Sequence, residues 1–520
     1  MVNATAPEAH ARGYAVQGEK RVPIEVLEQR GARLAAALAA GGVRENDCVA
    51  IMMRNDFGFL EGLVATALLG VYAVPINWHQ KGDEVGFILN DSHVTALLVH
   101  ADMIDEIRAH VPPHTRLVSV ATPPEIARAY SIPEPDCRVL PGDEDYEVLL
   151  AAHDPFTSTA PAGTRGSVIY TSGTTGRPKG VRREPLHGEQ GARFGRLTEE
   201  WWGLHPGVST VMAGPMYHSA PNVYAKAVLR SGGSISLMPR FEAEDLLRTI
   251  EAERITHMHL VPTMFIRLLR LPAEVRSRYD LSSIEFVVHG AAPCPPEVKR
   301  AMIDWWGEVI YEYYGATEMG MITRSSSQEW LQRPGTVGKA WPGREVRIYN
   351  DDGKILGAGE VGEIYATLAV VPQFTYQNAP EERAKIERDG MITNGDVGYL
   401  DEDGYLYLVD RKKDMVISGG VNIYPAEIEC ALALHPGVAD SAVIGIPDDE
   451  FGEKVAALVL AREGEMLVEA ELAAFLRARL ANFKVPRVFM FVQELPRDDN
   501  GKLMKRKLRD TFWVGRSRQI

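Results

Sequence analysis

Short, continuously apolar runs separated by helix-patterned segments dominate the first two thirds of this chain. Cys48–Met53, Ala96–Val99, Leu117–Val120 and Ser167–Tyr170 are such runs, and the alternation of strand and helix patterns resumes at Ser209–Ala213, Ser234–Met238, His257–Val261 and Glu285–His289. Strands of that kind are buried on both sides, which predicts parallel sheets covered by helices. The intervening segments fit: Leu27, Leu34 and Leu38 keep helical spacing before Gly41-Gly42 ends the pattern, and a second apolar helix is expected around Phe59–Leu69. From about Gly335 the texture changes. Asp351-Asp352-Gly353 and Asp401–Gly404 are turn signals between short alternating strands, which predicts antiparallel hairpins. A final α+β segment starts near Asp414, with helices over Ala426–Leu434 and Glu469–Leu480 and strands over Val438–Ile446 and Val455–Ala461.

With 520 residues the chain has room for several units of about 150 residues, and its core needs no metal or disulfide staple. A net charge of −14 argues against non-specific nucleic-acid or anionic-membrane binding. Cys48, Cys137, Cys294 and Cys430 form no CxxC pair, so a reducing cytoplasmic location is expected. The N-terminus lacks the charged lead-in and apolar centre of a secretory signal. The Gly62–Ile76 run, with Glu61 before it and Pro75 inside it, is too short to span a bilayer.

The sharpest local signal is Tyr170-Thr-Ser-Gly-Thr-Thr-Gly-Arg-Pro-Lys-Gly180, directly after an apolar run. Gly173, Gly176 and Gly180 let the backbone turn tightly and approach a ligand. The hydroxyls of Thr171, Ser172, Thr174 and Thr175 and the nearby N–H groups suit phosphate oxygens, and Lys179 adds a point charge. It is not a Walker A loop, because Gly180 stands where a magnesium-binding Ser or Thr would follow the lysine. A Gly/Ser/Thr-rich surface turn is the plain alternative.

Further blocks follow in order: Gly290-Ala291-Ala292-Pro293, Tyr313-Tyr314-Gly315-Ala316-Thr317-Glu318, Gly335–Ala340, Thr393–Asp396, Asp410–Asp414, Gly420–Glu429 and Asn500-Gly501-Lys502. Together with the loop, these blocks resemble the adenylate-forming superfamily of acyl- and aryl-CoA synthetases, peptide-synthetase adenylation domains and beetle luciferases. The resemblance spans residues 170–502 and is most like an AMP-forming acyl-CoA synthetase. It implies an α/β fold: a large N-terminal domain of stacked mixed β-sheets covered by helices, a small β-barrel-like subdomain, and a smaller mobile α+β C-terminal domain. The expected division is 1–410 with a subdomain change near 335, a hinge at 411–413, and 414–520.

The implied reaction has two halves. A carboxylate attacks the α-phosphorus of ATP to give an acyl adenylate and pyrophosphate, and a thiol then expels AMP. Both steps gather negative charge on oxygen, so positioning and electrostatic stabilisation are the protein's expected contribution. By resemblance, the 171–180 loop grips the β- and γ-phosphates. Tyr313, Tyr314 and Gly315 lie in the block that stacks on adenine, with Gly290–Pro293 as the opposite wall. Thr317 bonds the α-phosphate and Glu318 holds Mg²⁺, which favours oxygen ligands. Asp396 accepts both ribose hydroxyls and Arg411 contacts ribose or phosphate. Lys502 bridges the attacking carboxylate and the α-phosphate, although its basic surroundings up to Arg509 would by themselves suggest a solvated side chain. Lys413 occupies the hinge position, and Gly419-Gly420 line the pantetheine tunnel of CoA.

His218, in Gly214-Pro-Met-Tyr-His218, matches an aromatic or histidine that closes the carboxyl site in many CoA ligases; a packed imidazole is the equal alternative. Tyr217, Asn222, Val223, Val288 and His289 are expected pocket walls. No Asp or Glu lies between Met212 and Val228, which disfavours an amino-acid substrate and favours a mainly apolar acid. Met216, Tyr217 and Tyr224 suit a fatty or an aromatic acid equally. Many relatives carry additional residues before the first helix, which here is expected near Ile24. Arg182, Arg183, Lys412 and Arg487 are candidates for CoA phosphates, with solvated surface charge the stronger reading of each.

The expected partners are a small carboxylic acid and CoA, with a homodimer left open. Nucleic acid and stable membrane insertion are not expected. The competing functions are a stand-alone adenylating enzyme serving a carrier-protein thiol, a luciferase-like monooxygenase, and a non-catalytic ATP-binding relative.

Overall fold

The computed structural model describes residues 13–157, 163–171, 178–497 and 503–514. The chain forms two compact units. The first comprises residues 1–260, 271–288 and 369–385; the second comprises 261–270, 289–368 and 386–520.

In the first unit, one sheet runs in the order Tyr72–Pro75, Cys48–Met52, Val94–His100, Arg116–Val120, Glu144–Asp145, with every pair parallel. All five residues of Cys48–Met52 are buried, as the unbroken apolar run requires. The helix Ile24–Ala40 turns Leu27, Leu34 and Leu38 inward and ends at Gly41. Gly31 permits close contact with the helix Phe57–Leu69, because a Cβ there would stand 2.7 Å from Val64. Asp56 caps that second helix by accepting from Phe57 N at 2.6 Å, and Gly70, left-handed at φ 64°, closes it.

A second set of strands runs Lys20–Pro23, Tyr14–Gln17, Ser234–Leu237, Ser209–Met212, His257–Leu260 and Phe286–His289. Tyr14–Gln17 pairs parallel with Ser234–Leu237, and Ser209–Met212 is parallel to both of its neighbours. The hairpin Tyr14–Gln17/Lys20–Pro23 was not legible in the sequence, since two four-residue strands carry too few positions to show a period. The Ser167–Tyr170 run departs from expectation. Its strand, Ile169–Thr171, is antiparallel to Lys179–Arg183, which pairs in turn with Phe374–Tyr376.

The second unit holds an antiparallel array in the order Ile310–Ala316, Gly320–Ser325, Thr336–Ala340, Tyr405–Arg411, Asp396–Leu400, Gly362–Thr367. The turn at Asp401–Gly404 is the expected hairpin, closed by Gly404 N on Asp401 O at 3.0 Å. The C-terminal α+β segment places Val438–Asp448 against Gly452–Ala461, with Val488–Val492 added in parallel. The helices Pro425–Ala433 and Glu469–Arg477 bury Ile428, Leu432, Leu472 and Leu476 against Val443 and Val459. Among the described residues no helix is long and apolar enough to cross a membrane.

His259, buried in the His257–Leu260 strand, meets the Trp202 ring edge-on at 5.5 Å. Burial pushes its imidazole down from 6.5 to about 4. Between those values the unfolded chain binds a proton that the folded chain refuses. Stability is therefore full above pH 6.5 and is lost as pH falls toward 4, by about 3 kcal/mol at most. His257 shifts in the same direction, so His259→Gln should flatten the slope without abolishing it. Urea midpoints at neutral and mildly acidic pH test this; equal pH dependence in both proteins would refute it.

Candidate functional site

The two ends of the phosphate-loop candidate lie on paired strands, Ile169–Thr171 and Lys179–Arg183. Tyr170 pairs with Gly180 and Thr171 with Lys179, so the loop springs from two locked strand ends. Gly180 has to be glycine here, because a Cβ would stand 2.8 Å from the Tyr170 ring. The ring is anchored in turn by Tyr170 OH donating to Asp91 at 2.6 Å. Ser172, Gly173, Thr174, Thr175 and Gly176 lie outside the described residues.

Lys179 Nζ donates to Glu382 Oε2 at 2.5 Å and sits 5.4 Å from the Tyr376 ring centroid. Hydrogen bonds from Lys179 and then Lys385 hold the Glu382 carboxyl down to about 2. Nothing near Lys179 in sequence announces Glu382, which is 203 positions away. In the same unit, the turn leading to His218 is tied by Asn55. Its amide spans Met212, Gly214 and Met238 carbonyls at 3.0–3.3 Å, and its Oδ1 accepts from Met216 N at 2.9 Å. His218 precedes the helix Ser219–Ser231, and its ring lies 4.4 Å from Tyr217. Asn222 joins a buried chain: its Nδ2 donates to Met216 O at 3.0 Å, and its Oδ1 accepts from Ser167 Oγ at 2.7 Å. Lys226 Nζ donates to Ser167 Oγ at 2.7 Å, and burial followed by Arg230 pushes its ammonium down to about 8.

In the second unit the adenine and ribose candidates converge. Gly290–Pro293 follow the Phe286–His289 strand, with Ala291 held left-handed at φ 69°. A Cβ on Gly290 would stand 2.5 Å from the Tyr313 ring, so that ring lies directly on the glycine backbone. Successive side chains of a strand face opposite ways. Tyr314 accordingly leads elsewhere: its OH donates to Asp396 Oδ2 at 2.8 Å, with Asn394 Oδ1 at 3.3 Å. Gly315 sits at a register shift where a Cβ would meet Gly320 O at 2.3 Å.

Asp396 opposes Arg411 across the strand pair, and Arg411 Nε is 3.2 Å from its Oδ1. Burial pulls the Arg411 guanidinium down, yet the fields of Asp396, Asp414, Tyr314 and Glu318 leave it above its ordinary value. Burial and the Asp396 charge keep the Tyr314 phenol neutral. Thr317 and Glu318 occupy the turn between Ile310–Ala316 and Gly320–Ser325, and Glu318 is near enough for its charge to act on Arg411. Hard oxygen donors of this kind fit Mg²⁺.

The predicted hinge residue Lys413 lies two residues past the end of the Tyr405–Arg411 strand, and its carbonyl accepts from Arg509 Nη1 at 3.0 Å. Gly419 and Gly420, at φ 58° and 79°, make the turn between Val416–Ser418 and Val421–Ile423. A Cβ on Gly419 would meet Phe451 at 2.8 Å, whereas Gly420 faces open space. Gly419 borders a cavity of about 500 Å³, lined also by Phe451, Phe483 and Arg487, with Arg487 lying 4.4 Å over the Phe451 ring. Neither phenylalanine stood out in the sequence, because no local pattern marks it. Lys502 lies outside the described residues.

The AMP-binding enzyme family matches residues 4–369, and the AMP-binding enzyme C-terminal domain matches 427–502. A methyl-dioxo-octahydro-indenyl-propanoyl:CoA ligase of Rhodococcus jostii (strain RHA1) is 35% identical over 507 residues, covering 95% of this chain and 94% of that protein. A feruloyl-CoA synthase of an Amycolatopsis species is 34% identical over 491 residues, covering 94% and 93%. ATP-bound MatB from Rhodopseudomonas palustris superposes with a TM-score of 0.82 at 29% identity, covering 98% of this chain and 97% of that one. Matched over most of its length in both sequence and fold, the chain belongs to the AMP-binding, adenylate-forming enzyme family.

Proposed function

We propose that the protein is an AMP-forming carboxylate–CoA ligase that adenylates a mainly apolar acid with ATP and passes the acyl group to the CoA thiol. The observation that carries this reading is the Tyr314–Asp396–Arg411 cluster. It presents a carboxylate for two ribose hydroxyls and a cation for phosphate, in a chain whose relatives are CoA ligases. Asp396 is held in place by the Tyr314 hydroxyl, so its orientation is set before the nucleotide arrives. Lys179 would exchange Glu382 for the β- and γ-phosphates, with the hydroxyls of the 171–176 loop around them.

Thr317 would bond the α-phosphate, and Glu318 would hold Mg²⁺, which neutralises phosphate charge when bound. Lys502 would offset the repulsion between the acid's carboxylate and the α-phosphate. Residues 1–410 would form the acid- and ATP-binding domain and 414–520 the C-terminal domain, turning about 411–413 between the half-reactions. The Gly419 turn would then admit pantetheine, and the adjoining cavity, with Arg487 on Phe451, suits the nucleotide end of CoA. The four unbridged cysteines support a cytoplasmic setting.

A mainly apolar acid is favoured because the His218 turn and the helix after it carry Met216, Tyr217 and Tyr224 and no carboxylate. The ring-bearing acyl groups of the two named relatives agree with that character. The test is one mass-spectrometric assay with ATP, Mg²⁺, CoA and pooled fatty, aromatic, aryl-alkanoic and steroid-chain acids. AMP together with a new acyl-CoA mass is the expected result. An acyl adenylate without thioester would transfer the reading to a carrier-protein acceptor, and no nucleotide turnover with any acid would overturn it.

A further inference from the structure

We infer that His205, His257 and Glu285 form a binding site for a divalent transition-metal ion of the zinc class, separate from the nucleotide chemistry. One ligand atom from each of the three lies within 4.8 Å of the others. His205 Nε2 and Glu285 Oε2 are 3.5 Å apart. Tetrahedral coordination at Zn–N and Zn–O bonds near 2.05 Å puts neighbouring ligand atoms about 3.4 Å apart, so that pair already has the spacing of two ligands. His205 and Glu285 are exposed, which leaves their rotamers free to close on an ion and leaves a path for its entry.

Both imidazoles are set up as ligands by backbone carbonyls. A carbonyl only accepts, so the ring nitrogen facing it carries the proton. His205 Nδ1 is 3.0 Å from Pro206 O, which leaves Nε2 with its lone pair toward Glu285. His257 Nε2 is 2.9 Å from Gly203 O, which leaves Nδ1 as the lone-pair nitrogen. A ring whose second N–H is held by a carbonyl is the usual outer support of a metal-bound histidine. The Thr256 hydroxyl, 2.8 Å from His257 Nδ1, has Ser209 O as another acceptor at 3.1 Å, so it can release that nitrogen. Two nitrogens and one carboxylate select zinc, cobalt or nickel over magnesium, and three protein ligands leave one position for water.

The site's place in the fold separates it from turnover. His205 lies just ahead of Ser209–Met212, His257 begins His257–Leu260, and Glu285 immediately precedes Phe286–His289. These are the starts of the strands, whereas ligands of open α/β sheets bind beyond the strands' carboxyl ends. A four-residue strand, about 13 Å long, lies between. An ion here would clip three strand starts together.

The test uses untagged full-length protein without nucleotide. Co²⁺ is titrated while following the visible d–d absorption of four-coordinate cobalt, and Zn²⁺ then competes for the same site. The expected result is one saturable equivalent, displaced by Zn²⁺, with affinity reduced about tenfold or more in His205→Ala and in Glu285→Gln. Both positions are on the surface, so these variants should fold even where His257→Gln does not. Absence of saturable binding by either ion would overturn the assignment. So would affinity unchanged in both variants, which would place the ion elsewhere.

Discussion

Lys502→Ala is expected to lower acid-dependent ATP–pyrophosphate exchange by about 10²- to 10³-fold, the scale set by removing one preorganised group that faces developing negative charge. The substrate carboxylate and the α-phosphate are both anionic, and they must approach to bonding distance. A compact ammonium between them offsets that repulsion most strongly where water is excluded. The same variant, supplied with preformed acyl adenylate and CoA, should still make thioester at close to the parental rate, because the proposed bridging role belongs to the first half-reaction. Lys502→Arg keeps the charge but replaces a point donor with a longer planar fork, so little recovery is expected. Pyrophosphate release by Lys502→Ala at the parental rate would exclude the assigned role. Equal loss in both half-reactions would show a general structural defect instead.

Asp396→Ala should act on nucleotide binding and on folding together. Asp396 is buried, accepts the Tyr314 hydroxyl at 2.8 Å and faces Arg411 at 3.2 Å. Removing it strands a buried phenol and a cation, which costs about 2–3 kcal/mol once partial solvent access to Arg411 is allowed for. In its proposed role Asp396 is also the acceptor for two ribose hydroxyls. Hydrogen bonds to a charged group contribute about 1.5–3 kcal/mol each, so the KM for ATP should rise about 10²-fold or more. Asp396→Asn separates the two effects: turned so that its one amide oxygen takes the Tyr314 hydroxyl, it keeps that hydrogen bond while the charge facing Arg411 is lost. The Asn variant should regain part of the urea midpoint and little of the ATP affinity. An unchanged KM for ATP in Asp396→Ala would leave Asp396 as a structural residue only.

The phosphate-loop candidate stood out because its chemistry is contiguous: strand, small residues, hydroxyls and lysine follow one another from Tyr170 to Gly180. The parallel sheet around Cys48–Met52 was legible for a related reason. A strand buried on both faces has to be apolar at every position, and that pattern survives in one dimension. The hairpin at Asp401–Gly404 and the C-terminal helices were visible through turn chemistry and period.

The chemistry legible in one dimension is the chemistry of consecutive residues: which runs are buried, where turns fall, and which blocks resemble the nucleotide-binding blocks of a family. The partners of those blocks are a matter of tertiary folding. Glu382 reaches Lys179 across 203 positions, Asn55 ties down the Gly214–Met216 turn, and Gly290 is a glycine because Tyr313 lies on it. His205, His257 and Glu285 likewise become neighbours only when the strands they precede or begin are set side by side. Electrostatics, steric contact and metal coordination depend on distance in space. The chain encodes that distance only through the packing of all its elements together.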